Sequence, residues 1–419
     1  MPKPKFHDRG REDELRTLLK ERVLVLDGAM GTALQARDLT AADFGGPQYE
    51  GCNENLVLTR PDVIRDVHEA YLAAGADIVE TNAFGNLKHV LSEYGLEDKV
   101  LELNRAAARL AKEACAKFST VKKPRFVAGA LGPGTKTISV TGGITFDEVV
   151  AAYADAAQGL LEGGADFLLL ETQQDTLNVK ASLNGFHEAF ERLGRQVPIM
   201  LSASIETMGT MLGGQTAEAL TDSVGHAGLL ALGLNCATGP DFMTDHIRTI
   251  SDLTHSFTIC YPNAGLPDEN GRYNETPEMV ARKLERFVGE GWVNIVGGCC
   301  GTTAEHIKLI VQMAGQKPPR RPLKRGRCAV SGLESYVIEE DRRPSLVGER
   351  TNVIGSRLFK DMIISGKVEE AAEIGRRQTR ACAHIVDVCL ANPDRDEKAD
   401  MIAFLDLLTK KIKAPIMID

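Results

Sequence analysis

Three cysteines in this chain have the side-chain chemistry and the sequence positions of metal ligands. Cys299 and Cys300 lie in a glycine-rich stretch, Gly297–Thr303, that directly follows an apolar run, and Cys236 follows another apolar run about sixty residues earlier. Apolar runs that end in glycine-rich segments are typical of buried strands leading into loops. Thiols at two neighbouring strand ends can therefore meet at one metal ion.

Zinc is the metal that this set of ligands favours. Zinc prefers thiolate sulfur, and a catalytic zinc has three protein ligands and a fourth position open for water or substrate. Because no fourth ligand accompanies them, the three cysteines predict a site whose shell is completed by a thiol substrate, held as a thiolate near neutral pH. Inert buried cysteines and a disulfide are the alternatives, but adjacent cysteines rarely bond to each other.

Composition narrows the class of protein. The chain has 419 residues, enough for two domains or for one large barrel with an addition. Its 58 acidic side chains outnumber 49 basic ones, which argues against nucleic acid as a partner. No apolar run approaches the roughly 20 residues that cross a bilayer, and the N-terminus has no signal-peptide core. We expect a cytoplasmic protein with no membrane partner, whose nine cysteines are not a disulfide framework.

The elements that must position these thiols alternate along the first three quarters of the chain. Apolar runs rich in Val, Ile and Leu predict eight strands: Arg22–Thr32, Ala76–Thr81, Arg125–Leu131, Asp166–Thr172, Val197–Ser202, Leu229–Cys236, Phe257–Pro262 and Trp292–Gly297. Predicted helices lie between them, at Pro61–Gly75, Glu97–Phe118, Thr145–Gly164, Thr176–Leu193, Thr216–Ala227 and Thr276–Gly291. This alternation predicts an α/β fold, a (β/α)8 TIM barrel. An open doubly wound sheet would need a G-x-G-x-x-G turn after the first strand, which Asp27–Thr32 lacks.

Polar residues follow several of the predicted strands. Because the chemistry of such barrels lies at the C-terminal ends of the strands, these residues are expected on one rim. They are Asp27, Glu80 with Thr81 and Asn82, Glu171 with Thr172 and Gln173, Cys236, and Cys299 with Cys300.

A second, smaller series of elements follows a break in the pattern. Gln316–Arg327 carries three prolines and six basic residues, which predicts an interdomain linker rather than a nucleic-acid patch. We therefore assign residues 1–315 to the first domain, 316–344 to a linker and 345–419 to a second domain. That domain has predicted strands at Ser345–Asn352, His384–Cys389 and Ala414–Asp419 and helices at Val368–Ala383 and Lys398–Lys411. Because three parallel strands cannot close a barrel, we expect an incomplete, truncated second (β/α) barrel.

Several motifs give the chain a family resemblance. The first domain contains DGAMGT, ETNAF, GALGP, LLLETQQD, GLNCATGP, YPNAG and GGCCGTT, and the second contains VGERTN and DVCLANPDRDE. Over essentially its whole length the sequence resembles the N-terminal half of the cobalamin-dependent methionine synthases. The paired GLNC and GGCCGT motifs are specific to homocysteine methyltransferases, which also include betaine- and S-methylmethionine-dependent members, and VGERTN resembles the pterin-binding domain of methyltetrahydrofolate methyltransferases.

The resemblance implies roles for residues of the first domain. Cys236, Cys299 and Cys300 would bind Zn²⁺, which coordinates the sulfur of homocysteine. Asp27 and Glu171 would hold the substrate amine, with Thr81 near its carboxylate. The residues alone leave structural roles open in place of substrate binding. These roles are a helix cap or a loop acid for Asp27, a salt bridge on the rim for Glu171 and a structural acid for Glu80.

The resemblance also assigns a site to the second domain. Glu349, Asn352, Asp387 and Asp419 would hydrogen-bond the pterin ring of 5-methyltetrahydrofolate, whose edges suit carboxylates and carboxamides. Strand-end acids or helix caps are the alternatives for the two aspartates. Cys389 departs from the family, whose members commonly carry Asn at that position.

The implied reaction gives methionine from homocysteine, which takes a methyl group from methylcobalamin. No segment resembles a cobalamin-ligating DxHxxG motif, so a domain or partner protein outside this chain is expected to bind cobalamin, and methyltetrahydrofolate would remethylate it. Two alternatives stay open. One is a methyltransferase that uses S-methylmethionine or betaine, and the other is a structural zinc barrel in which Cys260 is the fourth ligand.

Overall fold

The computed structural model describes residues 6–7, 9–315, 317–323 and 327–419. These residues form two compact units. The first consists of the chain up to Gly213 and from Val224 to Lys324, and the second consists of Gly214–Ser223 and the chain from Arg325 to Asp419. In the described part of the chain, no helix combines the length and the apolar content needed to cross a membrane.

Eight parallel strands form the centre of the first unit. They are β1 (Leu24–Val25), β2 (Ile78–Glu80), β3 (Phe126–Leu131), β4 (Phe167–Gln173), β5 (Ile199–Ala203), β6 (Ala231–Asn235), β7 (Phe257–Tyr261) and β8 (Ile295–Val296). Each strand from β2 to β7 pairs with the next along the chain, and β8 pairs with β1. A parallel bridge between Leu26 and Ile78 joins β1 to β2, supported by a 3.0 Å hydrogen bond from Asp27 N to Ile78 O. The predicted (β/α)8 barrel is confirmed, and the open doubly wound sheet is not formed.

Burial on both faces explains why the barrel strands appear as apolar runs in the sequence. Every residue of β3, β5, β6 and β7 is buried. The side chains that point inward pack as one cluster, in which Leu24, Ile78, Phe126 and Ile259 are fully buried. Burying one large apolar side chain contributes about 1.5–3 kcal/mol, so this cluster is the main stabilising element of the unit.

Helices alternate with these strands along the chain. They are α1 (Arg9–Glu21), α2 (Pro61–Ala74), α3 (Val100–Phe118), α4 (Phe146–Gly163), α5 (Thr176–Leu193), α6 (Ala217–Val224), α7 (Pro240–Leu253), α8 (Pro277–Gly289) and α9 (Ala304–Ala314). Local signals fix several ends: Thr145 forms a capping box with Glu148 at the start of α4, and Asp175 caps α5. Gly75 ends α2 in the left-handed conformation that glycine adopts without strain.

Shorter elements complete the first unit. Phe6–His7 pairs in parallel with Arg195–Gln196. Single helical turns lie at Met30–Gln35, Pro47–Tyr49, Asn53–Asn55, Leu56–Thr59, Lys88–Leu91, Ser92–Tyr94 and Glu97–Lys99. All seven belong to the two long segments that follow β1 and β2.

The second unit contains a three-stranded parallel sheet. Its strands are β11 (Val347–Asn352), β12 (Ile385–Cys389) and β13 (Ile416–Ile418), with α10 (Arg357–Ile364), α11 (Val368–Arg380) and α12 (Glu397–Leu408) between them. A hairpin of β9 (Ala329–Ser331) and β10 (Ser335–Val337) and a turn at Glu340–Arg342 precede the sheet. The predicted linker, residues 316–344, therefore contains this hairpin, while Gln316 and residues 324–326 lie outside the described residues.

Candidate metal centre and substrate site

The three predicted thiols converge at the C-terminal rim of the barrel. Cys236 directly follows β6, and Cys299 and Cys300 follow β8. The sulfur of Cys300 lies 3.8 Å from that of Cys236 and 4.0 Å from that of Cys299, and all three sulfurs lie within 4.8 Å of one another. Zinc holds thiolate sulfur at about 2.3 Å, which places two sulfurs roughly 3.8 Å apart at the tetrahedral angle. The observed spacing therefore suits three ligands of one zinc ion.

Backbone geometry directs Cys236 toward the other two thiols. Cys236 and Ala237 have φ angles of 57° and 54°, in the left-handed region that non-glycine residues avoid. Such conformations cost about 1–3 kcal/mol each and are concentrated at functional sites. In the preceding strand, a Cβ at Gly233 would lie 1.6 Å from Ile259 O, so glycine is needed for β6 to pass β7. The GLNC motif thus contains both the close strand contact and the turn that exposes the thiol.

The segment after β7 fixes the backbone of the adjacent cysteines. Cys299 N donates to Pro262 O at 2.8 Å, and Cys300 N donates to the Asn263 side-chain oxygen at 3.1 Å. Ala264 N in turn donates to Cys300 O at 2.9 Å. The YPNAG motif therefore holds the cysteine pair from one side, which explains why both motifs occur in this sequence.

Asn235 joins three strand ends beneath the thiols. Its side-chain oxygen accepts hydrogen bonds from Thr172 N at 2.8 Å and from the Ser202 hydroxyl at 2.7 Å. Its amide nitrogen donates to the Thr172 hydroxyl at 2.7 Å and lies 3.9 Å from the Cys299 sulfur. Sequence reasoning missed this residue, although a polar side chain next to Cys236 at the end of an apolar run was a usable signal.

The three thiols share their protons unequally. Hydrogen bonds from Cys236 and Cys299 lower the pKa of Cys300 to about 3. Hydrogen bonds from Cys299 to Cys236 and to Cys300 raise the pKa of Cys299 well above its ordinary value, because Cys299 is the donor. The protein alone therefore stabilises one negative charge among these sulfurs, and a metal cation would take the place of the remaining protons.

Cys260 does not join this group. It is fully buried in β7, its sulfur lies 3.9 Å from that of Met243, and burial raises the pKa of its thiol. Among the residues that the structure describes, the His, Cys, Asp and Glu side chains supply no fourth ligand atom to the cluster. The set of three protein ligands is thus the open kind that catalytic zinc sites use.

A group of carboxylates lies on the same rim. Asp27 Oδ2 accepts a hydrogen bond from Glu80 N at 3.1 Å, while Asp27 Oδ1 and Glu80 Oε1 are buried without a hydrogen-bond partner in the described chain. Burial raises the pKa of Glu171 to about 8, and repulsion from Cys300 adds to the shift. Burial, together with repulsion from Glu171, also raises the pKa values of Asp27 and Glu80. Such a group is poised to accept a cation, because a cation offsets the cost of ionising buried acids.

The surroundings of Asp27 and Glu171 argue against a helix-cap role for the first and a salt-bridge role for the second. The helical turn Met30–Gln35 has Ala29 at its N-cap and no side-chain cap, so Asp27 is not a helix cap. Within the described residues no basic side chain contributes to the environment of Glu171. Thr81 is 4% exposed, and its hydroxyl oxygen accepts a hydrogen bond from Ala130 N at 3.1 Å, which leaves the hydroxyl proton free to be donated.

Three of the four predicted pterin-binding residues meet at the C-terminal ends of the second sheet. The Asn352 amide nitrogen donates to Asp387 at 3.1 Å and to Asp419 at 3.4 Å, so one carboxamide holds both carboxylates. Asp387 and Asn352 are buried, Asp419 is exposed, and exposed Glu349 lies outside this hydrogen-bonded group. Cys389 is buried at the end of β12, paired in register with Asn352.

Fold and site together define a (β/α)8-barrel enzyme with a thiol-rich centre and acidic side chains on the same rim. The model of the family described as homocysteine S-methyltransferase matches residues 24–314. The model of the family described as pterin binding enzyme matches residues 348–419. The chain therefore belongs to the homocysteine S-methyltransferase family, is a methyltransferase, and carries a pterin-binding domain after the barrel.

Solved structures support the same fold. The homocysteine methyltransferase MmuM from Escherichia coli, in its metallated form, is 24% identical, with a TM-score of 0.58 over 71% of this chain and 98% of that chain. Its oxidized form is 23% identical with a TM-score of 0.58, over 71% and 98% of the two chains. Its apo form is 22% identical with a TM-score of 0.54, over 70% and 97%.

Proposed function

We propose that the chain is the homocysteine- and folate-binding part of a cobalamin-dependent methionine synthase. Residues 1–315 would bind homocysteine, residues 345–419 would contribute to binding 5-methyltetrahydrofolate, and residues 316–344 would link them. The observation that carries the proposal is the thiol trio, with sulfurs 3.8 and 4.0 Å apart, on a chain that also matches a pterin-binding family. A cytoplasmic location, where thiols stay reduced, suits this centre.

Cys236, Cys299 and Cys300 are proposed to hold zinc. The spacing of their sulfurs supports this, as does the existence of a metallated form of the homocysteine methyltransferase MmuM. When bound, zinc supplies a Lewis acid that keeps the substrate sulfur as a thiolate at a pH where a free thiol, with a pKa near 8.5, is mostly protonated.

The acidic group is proposed to hold the ammonium of homocysteine. Asp27 and Glu171 would provide the counter-charges, and the hydroxyl proton of Thr81 would be donated toward the substrate carboxylate. Because the pKa values of both acids are raised by burial, each acid would ionise as the ammonium arrives. Binding would therefore release protons, and the chain would orient the substrate by its amino-acid end while its sulfur lies at the thiols.

The reaction would be a direct transfer of a methyl group to the substrate sulfur. A sulfur–carbon bond forms as the bond between methyl and donor breaks, and the electron pair of that bond stays with the donor. No side-chain base is required, since the thiol proton would be released to solvent before the transfer. Barrel residues contribute orientation and exclusion of water, which together supply much of the acceleration in such displacements.

Methylcobalamin is the proposed methyl donor, bound by a domain or protein outside this chain. The pterin-binding match supports it, because a second domain that binds a methylated folate beside the homocysteine barrel suits a carrier that is methylated at one site and gives up its methyl group at the other. Asn352, Asp387 and Asp419 would bind the pterin edge, with Glu349 nearby. A donor such as S-methylmethionine or betaine is the second candidate, since the match of residues 24–314 to the homocysteine S-methyltransferase family specifies the methyl acceptor and not the donor.

The test combines zinc content with methyl transfer in the full chain. Zinc is measured in the purified protein, and methionine formation from homocysteine is followed with methylcobalamin, S-methylmethionine or betaine as donor. We expect one zinc per chain and transfer from methylcobalamin, with both lost in Cys299→Ser and both kept in Cys328→Ser, which alters an exposed cysteine. Transfer from S-methylmethionine or betaine alone would refute the cobalamin assignment, and a zinc content unaffected by Cys299→Ser would refute the metal centre.

A further inference from the structure

Two rim segments that carry the proposed binding groups lie side by side where the barrel closes. Residues 27–32, here called the acid segment, follow β1 and begin with Asp27. Residues 297–303, here called the thiol segment, follow β8 and contain the adjacent cysteines. Gly298 N donates to Asp27 O at 3.2 Å, which continues the pairing of β8 with β1 beyond the strands. The distance from the acid to the thiols therefore depends on how these two segments are joined.

Two threonines, one in each segment, join the segments by reciprocal hydrogen bonds. Gly301 N donates to the Thr32 hydroxyl at 3.0 Å. In the opposite direction, Ala29 N donates to the Thr302 hydroxyl at 3.3 Å. The Thr302 hydroxyl gives its own proton to Cys299 O at 2.7 Å, and the side chain is fully buried. Thr302 thus connects the acid segment to the peptide of a proposed metal ligand.

A tyrosine from α2 covers this junction. Tyr71 is 2% exposed, and its hydroxyl lies within hydrogen-bond distance of one carbonyl oxygen in each segment, 3.0 Å from Ala29 O and 3.3 Å from Thr302 O. A Cβ at Gly28 would lie 2.7 Å from the Tyr71 ring and 3.0 Å from the Thr302 hydroxyl oxygen, so glycine lets both side chains reach the junction. Because a hydroxyl proton can be donated to either carbonyl, Tyr71 holds both segments at one separation.

We propose that Tyr71 and Thr302 are positioning residues that fix the separation between the acid segment and the thiol segment, and that this separation selects the length of the substrate. The inference rests on the proposed function in taking the acids as the ammonium site and the thiols as the sulfur site. It adds two residues that act through the backbone of these segments and thereby decide which aminothiol fits.

The separation acts on chain length because the two ends of the substrate are held by different segments. Homocysteine and cysteine have the same chemical ends, but homocysteine has one more methylene between them. One methylene changes binding by about 10–200-fold in a site built around one of two such ligands. A site whose two ends could move toward each other would lose that discrimination, because it would contract onto the shorter ligand.

The test compares the two aminothiols on the zinc-loaded full chain. Dissociation constants for homocysteine and cysteine are measured by calorimetry for the parent and for Tyr71→Phe, and the zinc content of each protein is determined. We expect the parent to prefer homocysteine by about tenfold or more, and Tyr71→Phe to lose about fivefold of this preference, the effect of one neutral hydrogen bond, with one zinc per chain in both.

Substitution of Thr302 gives a second, independent pair of variants. Thr302→Val removes the hydroxyl but keeps the branched shape, and it should also reduce the preference for homocysteine. Thr302→Ser keeps the hydroxyl and should preserve the preference. If Tyr71→Phe does not fold, this pair decides by the same criterion.

Tyr153→Phe is the matched control for Tyr71→Phe. Tyr153 is a fully buried tyrosine of α4 whose hydroxyl donates to Gly132 O, a carbonyl that belongs to neither segment. Its substitution also removes a buried hydrogen bond, but it should leave the preference unchanged. In metal-free protein, hydrogen-exchange mass spectrometry should show faster exchange of residues 27–32 and 297–303 in Tyr71→Phe and not in Tyr153→Phe.

The outcomes separate this inference from the proposed function. The same preference for homocysteine in the parent and in Tyr71→Phe would overturn the role of the junction and leave the homocysteine site standing. An equal loss of preference in Tyr153→Phe would also overturn it, because any loosening of the barrel would then have the same effect. Absence of homocysteine binding to the zinc-loaded parent would refute the proposed function, and the selection of length with it.

Discussion

Replacement of Glu171 by Gln is expected to stabilise the barrel at alkaline pH while weakening homocysteine binding. Burial raises the pKa of Glu171 from its ordinary value of 4.5 to about 8. Between these values the folded protein keeps a proton that the unfolded chain releases, so the free energy of unfolding falls as the pH rises. The loss is about 1.4 kcal/mol per pH unit, or roughly 5 kcal/mol over the whole window. Gln at this position has no proton to lose.

The assay uses the single tryptophan of the chain. Trp292 lies three residues before β8 and packs near Phe287, with ring centroids 5.8 Å apart, so its fluorescence reports unfolding of the barrel unit. Urea unfolding with a metal chelator present is compared at about pH 5 and about pH 8.5, a range that covers most of the window in which the linkage acts. We expect the parent and Glu171→Gln to be close in stability at the lower pH and the variant to be more stable by several kcal/mol at the higher pH.

A surface substitution provides the control, and binding provides the second measurement. Glu191→Gln changes an exposed carboxylate of α5 and should follow the parent at both pH values. Calorimetry in buffers of different ionisation enthalpy should show fewer protons released when Glu171→Gln binds homocysteine. Parallel pH dependences of stability in the parent and in Glu171→Gln would refute the reasoning, because they would mean that Glu171 titrates as it does in the unfolded chain.

Two further substitutions test the residues that hold each site together. Asn235→Ala removes a buried carboxamide whose hydrogen bonds join three strand ends. It should lower the free energy of unfolding by about 2–4 kcal/mol in the Trp292 fluorescence assay. A loss below about 1 kcal/mol would contradict this role of Asn235. Asn352→Ala removes the hydrogen-bond donor shared by Asp387 and Asp419. It should weaken methyltetrahydrofolate binding by about tenfold in equilibrium dialysis. An unchanged affinity would argue against this cluster as the pterin site.

The barrel could be predicted because its strands are buried on both faces. Such strands appear as continuous apolar runs, and all eight were identified, together with α5 at Thr176–Leu193. Boundaries were less accurate where the chain leaves the sheet early. Strand β1 is only Leu24–Val25, because the backbone turns toward the rim once Asp27 has bonded to the second strand. A sequence pattern locates a buried strand, but it does not show which residue makes the last hydrogen bond to the neighbouring strand.

The site was predictable only in part, for a related reason. The thiols can be recognised from residue type and glycine context, whereas Asn235 acts through contacts with residues far away in the sequence. Glu80 was undecided for the same reason, and the structure sets it beside Asp27, with which it shares a hydrogen bond and a raised pKa.

The electrostatics of the rim link the metal centre to the choice of substrate. Without cations, ionised carboxyl groups are costly at Asp27 and Glu171 because burial raises their pKa values, while hydrogen bonds from the neighbouring thiols lower the pKa of Cys300 and favour one thiolate. Two cations would relieve this state at separate places, a metal at the sulfurs and an ammonium at the acids. A simple thiol could bind the metal through its sulfur, but it would bring no ammonium to the acids. A molecule with a thiol and an ammonium at opposite ends satisfies both, and we therefore expect removal of the amino group to weaken substrate binding far more than shortening of the apolar chain.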